Sequence, residues 1–146
     1  MSLQPTDRAG SRKMFFEVWH KQQAGEPLSA LETIVAKVIR LHPEYHALLA
    51  GDPDKVLDHD WRPEGGETNP FLHMGMHIAI REQLSIDRPP GVRAAYEALL
   101  KCHADAHKAE HDMVECLAES LWRGQREGRL PDEAAYLACL QKRAGK

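Results

Sequence analysis

Residues 69–85, NPFLHMGMHIAIREQLS, decide the fold. Asn69 is a strong helix N-cap, and Pro70 suits the first helical position, where the N–H it lacks would be unpaired anyway. Behind them the apolar residues run nearly all round a helical wheel, which predicts a buried helix to about Ser85. His73 and His77 are four residues apart and share a face with Ile80 and Leu84. Imidazoles on an interior face are costly unless they are hydrogen-bonded or ligated. The segment therefore carries both a fold signal and a site signal.

A second pair lies downstream. Asp87-Arg88-Pro89-Pro90-Gly91 reads as a connection, and Val92 to Glu127 as one long helix closed by Gly128 and Pro131. On a wheel of that helix Val92, Tyr96, Leu99, Val114, Leu117 and Leu121 form an apolar stripe. His103, His107 and Glu110 fall inside the stripe, with His111 on its edge; Cys102, Asp112 and Cys116 fall on the far side. Residues 70–85 and 92–127 are thus expected to pair as an antiparallel hairpin that lets the two histidine pairs meet.

The rest of the chain is read around that hairpin. Residues 1–10 are polar and expected to be disordered. A short helix from Ser11 to about Ala24 carries the MFFEVW cluster, and Gly25 ends it. Ser29 and Glu32 match a capping box for a helix with Leu31, Ile34, Val35, Val38 and Ile39 at helical spacing. Pro43 interrupts and restarts the chain in HPEYHALL, and the loop-rich 51–69 stretch holds one helical turn near Pro53–Leu57. A last helix covers about 131–143. No segment alternates with period two, so the expectation is an all-α bundle of about five to six helices in a single domain, 1–146.

Composition narrows the function classes. The chain has 146 residues, 42% hydrophobic and 28% charged, with a net charge of -3, which argues against a nucleic-acid partner. Its apolar runs are too short for a membrane span, and MSLQPTDRAGSRK has no apolar region of the kind a secretory signal needs. Three cysteines, Cys102, Cys116 and Cys139, make no CxxC motif and predict a reduced, cytoplasmic chain. A homo-oligomer or a protein partner is compatible with this composition. Trp19, Trp61 and Trp122 read as core or lid residues, and Arg81 as a polar edge on a buried helix.

Nine histidines are the anomaly. His42 and His46, in HPEYH, are a third pair at helical spacing; His20 and His59 are weaker candidates. The ligand candidates are His73, His77, His107, His111, Glu110, His46 and His42. Imidazole and carboxylate donors with thiols turned away suit a divalent transition metal, zinc or iron first, manganese or nickel next, and not calcium. Glu110 has three candidate roles: ligand, orienting partner of an imidazole, or general base on a metal-bound water. His107 to His111 spells HxxEH, the inverzincin motif, but without a strand to hold a peptide. His20, the pairs 42–46 and 73–77, and His107 with Asp112 are laid out like a hemerythrin, although His46 stands where a carboxylate is needed and paired ExxH motifs are missing.

GEPLSALETIV, HPEYHALL, GETNPFLHMGMHIAIREQLSIDRPPG, HKAEHDMVECLAESLW and PDEAAYLACL together resemble an uncharacterised bacterial family, the domain of unknown function DUF1841, from about Phe15 to Leu140. The resemblance implies an all-helical bacterial protein with His42, His46, His73, His77, His107, Glu110 and His111 at motif positions, and it leaves His103 outside them. It implies no activity. Three readings follow: a metal-binding helix bundle, a metal-free interaction bundle with a buried histidine hydrogen-bond network, and a metal-dependent hydrolase with Glu110 as base.

Overall fold

In the computed structural model, residues 8–56 and 69–145 are described. All seven α-helices among them follow in order: α1 Arg8–Ala24, α2 Ala30–Arg40, α3 His46–Ala50, α4 Pro70–Ile86, α5 Val92–His103, α6 Ala106–Glu127 and α7 Glu133–Ala144. Two short 3₁₀ turns, Pro43–Tyr45 and Pro53–Lys55, complete the regular structure, and the described residues contain no strand. No described helix is long and apolar enough to cross a membrane. The chain divides into two compact units, with the boundary between Ile78 and Ala79 inside α4.

The first unit is built from α1, α2, α3 and the first half of α4. Gly25, at φ +71°, ends α1 in the left-handed conformation that glycine adopts without a Cβ penalty. The Ser29–Glu32 capping box forms as read: the Glu32 N–H donates to Ser29 Oγ, and the Ser29 N–H donates to Glu32 Oε1. Phe15, Phe16 and Val18 of α1, Val35, Val38 and Ile39 of α2, Leu49 of α3, and Phe71, Met74 and Ile78 of α4 form the core. Arg12 is buried with them; its guanidinium donates to the Val56 carbonyl at 2.9 Å and lies 5.3 Å from the centre of the Phe71 ring.

The second unit holds the end of α4 with α5, α6 and α7, and these last three pack against one another. α4 stops at Asp87, at φ +54°, and Arg93 caps it by donating to the Leu84 and Ser85 carbonyls at 2.7 and 2.6 Å. The long helix expected over 92–127 is two helices. Ala104 turns left-handed at φ +54°, and Asp105 becomes a new N-cap, its carboxylate accepting from the His107 N–H at 2.9 Å. Ala104 and Ala106 are such good helix formers that they mask the capping signal of the aspartate between them.

That break resets the phase of α6. Its buried residues are Ala109, Glu110, Met113, Val114, Cys116, Ser120 and Gly124, so Glu110 and Val114 of the stripe drawn through an unbroken helix are buried, whereas Leu117 is half-buried and His107 and Leu121 are exposed. At Gly124 the chain comes close: a Cβ there would sit 2.8 Å from the Arg129 carbonyl oxygen. Cys116, expected on the far side, is buried here and bonded to Cys139 of α7, which corrects the reduced-cysteine expectation. Cys102 is the exposed free thiol.

Candidate metal centre

The site begins where Pro43 stops α2. Proline disfavours helical backbone in the residue before it, and His42 takes φ -125° and ψ 66°. This turn swings the His42 ring inward, where the residue is 2% exposed. Its Nδ1 lies 2.8 Å from the Val38 carbonyl oxygen. A carbonyl can only accept, so Nδ1 carries the proton and Nε2 carries the lone pair. An N–H donated to a backbone carbonyl is the way metal-binding histidines are commonly held.

α4 supplies the other two rings from consecutive turns. Asn69 sets the start of the helix, its side-chain oxygen accepting from the Phe71 and Leu72 N–H groups at 3.0 and 3.2 Å. His77 is buried and His73 half-buried, and their Nε2 atoms approach to 3.3 Å. The three ring centres are separated by 5.1 Å (His42–His73), 4.7 Å (His42–His77) and 4.8 Å (His73–His77). One ring nitrogen from each of these histidines lies within 4.8 Å of the others. Tyr45 stacks on His42 at 5.6 Å, and burial, with the Glu44 charge adding to it, pushes its phenol above the ordinary value.

The distances permit a test of fit. Two nitrogens bound at about 2.0–2.1 Å to a tetrahedral ion stand roughly 3.3–3.4 Å apart. The 3.3 Å between the His73 and His77 nitrogens matches one edge of that tetrahedron. It is longer than the roughly 2.9–3.0 Å at which nitrogen donors usually sit in hydrogen bonds. Three imidazoles with no thiol suit zinc and its neighbours in the transition series.

His46 is in the first unit but outside the group: its Nε2 donates to the Ile39 carbonyl at 2.8 Å, and its ring packs on Trp19 at 4.8 Å. His42 precedes the Pro43–Tyr45 turn and His46 is the first residue of α3, with Tyr45 as its N-cap, so the two do not share one helix and the HxxxH spacing of 42–46 does not make a pair. His20 is exposed, and His59 and Trp61 lie outside the described residues.

His107, Glu110 and His111 sit on α6 in the second unit. His107 is exposed and His111 half-buried, with ring centres 4.3 Å apart. Glu110 is buried, with Oε1 3.0 Å from Arg81 Nη2. The arginine read as a polar edge is thus the counter-ion of the candidate base. Beside them burial raises the Tyr96 phenol, as does the Glu110 charge, with Arg81 opposing.

His103, placed inside the apolar stripe by the unbroken wheel, is instead at the end of α5 and bonds through Nε2 to Asp112. Arg143 of α7 reaches the same carboxylate at 3.0 Å and also binds Glu115. Burial alone would raise the Asp112 carboxyl, but hydrogen bonds from His103 and Arg143, with their charges, hold it below the usual carboxylate value. No spacing rule in the sequence points to this network, because its members come from three helices.

A family model for a domain of unknown function, DUF1841, matches residues 7–142, nearly the whole chain. The chain belongs to this family. Neither the comparison with curated proteins nor that with solved structures gave a match. Membership of DUF1841 agrees with the resemblance read from about Phe15 to Leu140, and it brings no substrate or reaction with it.

Proposed function

We propose that this DUF1841 protein binds a divalent transition metal through His42, His73 and His77. The observation that carries the reading is the 3.3 Å separation of the His73 and His77 nitrogens beside a His42 whose Nδ1 is tied to Val38, all within the first unit. Three imidazoles leave one position of a tetrahedral ion for water or a further side chain, and an open position is what metal-assisted hydrolysis or oxygen-linked chemistry requires. The tetrahedral edge favours zinc first; iron, manganese and nickel, with their preference for more ligands, come after it.

The ligand set read from sequence also includes His46, Glu110, His107 and His111. Substitution of each separates them, because loss of a true ligand lowers stoichiometry or affinity and loss of a bystander does not. The deciding experiment is elemental analysis of tag-free protein purified without chelator, followed by zinc titration calorimetry. Wild type is expected to carry about one equivalent of metal, and the His73→Ala/His77→Ala variant none. A wild type that holds no metal and releases no heat on titration overturns the proposal. In that outcome the same imidazoles serve as a buried hydrogen-bond network in an interaction bundle.

A further inference from the structure

The outer face of α6 in the second unit is not used by the metal reading. Glu115, Glu119, Trp122 and Arg126 are spaced i, i+4, i+7 and i+11, the spacing of the seam in a paired helix. All four are exposed, Trp122 to 56%, while Ala109, Met113, Ser120 and Gly124 fill the opposite, inward face. The guanidinium of Arg126 lies 5.1 Å from the centre of the Trp122 indole. Glu119 is 3.2 Å from Arg123 in an exposed pair on its own helix, of a type worth little and easily exchanged.

The order along the stripe is acid, acid, aromatic, base. Such a stripe is complementary to itself, but in one direction only. Laid antiparallel about a two-fold axis between Trp122 and Arg123, Glu119 of one copy faces Arg126 of the other, and Trp122 faces Arg123, twice each by symmetry. Laid parallel, Glu119 would face Glu119 and Arg126 would face Arg126. Tryptophan and arginine are also the residue types that most often carry interface energy. We propose that a second copy of this chain docks antiparallel on this face of α6 to form a symmetric dimer. A single-helix contact of this size makes a weak, salt-sensitive dimer rather than an obligate one.

The test is sedimentation velocity on the full chain between about 1 and about 500 µM, a range spanning weak and moderate dimers. Wild type is expected to pass from monomer to dimer within that range, and Trp122→Ala to weaken the dimer roughly tenfold or more. Glu119→Lys alone and Arg126→Glu alone are each expected to be monomeric, since each places like charges opposite one another. Mixed in equal amounts, they are expected to pair, because both cross-contacts then join opposite charges. Far-ultraviolet circular dichroism on each variant shows that the fold is intact. A wild type that stays monomeric, a dimer indifferent to these substitutions, or a mixture that fails to pair overturns the proposal.

Discussion

Under the proposed ligation by His42, His73 and His77, replacing His77 by alanine should abolish most of the stabilisation that added metal gives. His77 is 1% exposed, and its ring centre lies 4.7 Å from that of His42 and 4.8 Å from that of His73, so its loss would remove one of the three proposed ligands. Removing even an outer partner of a metal ligand weakens binding by about 10–100-fold, so loss of a ligand should cost about 100-fold or more. At metal one hundred times the wild-type dissociation constant, binding stabilises the folded chain by about 2.7 kcal/mol, and in the variant at the same concentration by about 0.4 kcal/mol. For a domain of this size the wild-type midpoint should rise by roughly 8–11 °C on adding zinc, and that of the variant by about 1–2 °C. The assay is thermal unfolding of each protein with zinc and with chelator. The difference between the two curves is the readout, which separates ligation from the packing loss that His77→Ala also causes without metal. An equal shift in both proteins would refute the assignment.

Four further outcomes follow from the same geometry. His46→Ala should leave metal stoichiometry unchanged, since its Nε2 is engaged with the Ile39 carbonyl; a drop in bound metal by elemental analysis would return it to the ligand set. Asp112→Asn should cost about 1 kcal/mol at neutral pH for a partly exposed charged hydrogen-bond pair. Because the folded carboxyl titrates below its unfolded value, this contribution is present above about pH 4 and fades as pH falls further, so urea midpoints of the two proteins should converge in acid. Gly124→Ala should destabilise by about 1–3 kcal/mol, because the new methyl meets backbone at 2.8 Å rather than a movable side chain; an unchanged urea midpoint would contradict that packing. Thiol titration of the unfolded chain without reductant should find one free cysteine, Cys102, and reduction of the Cys116–Cys139 bridge, 23 residues apart, should cost about 3 kcal/mol by the chain-entropy argument.

The helical class was legible because helix starts and stops are written in local chemistry. Ser29 with Glu32, Asn69 with Pro70, and Gly128 before Pro131 each satisfy or leave backbone groups within a few residues of themselves. The His73–His77 pair was legible for the same reason: four residues on a helix face is a local relation. The break at Ala104–Asp105 was also local, yet two flanking alanines concealed it, and with it went the phase of the downstream helix.

What sequence alone determined, then, is what a single turn of helix can enforce: the all-α class, most helix ends, the buried α4 start and one histidine pair of the candidate site. The tertiary structure decided where His42 and His46 lie relative to that pair. His42 lies beside it because a proline turn folds its ring against Val38, while the His46 nitrogen is engaged with the Ile39 carbonyl. It also set the Cys116–Cys139 bridge and the Asp112 network across α5, α6 and α7. These contacts join residues distant in the chain, and their partners are chosen by packing, whose outcome depends on every helix's rotation at once.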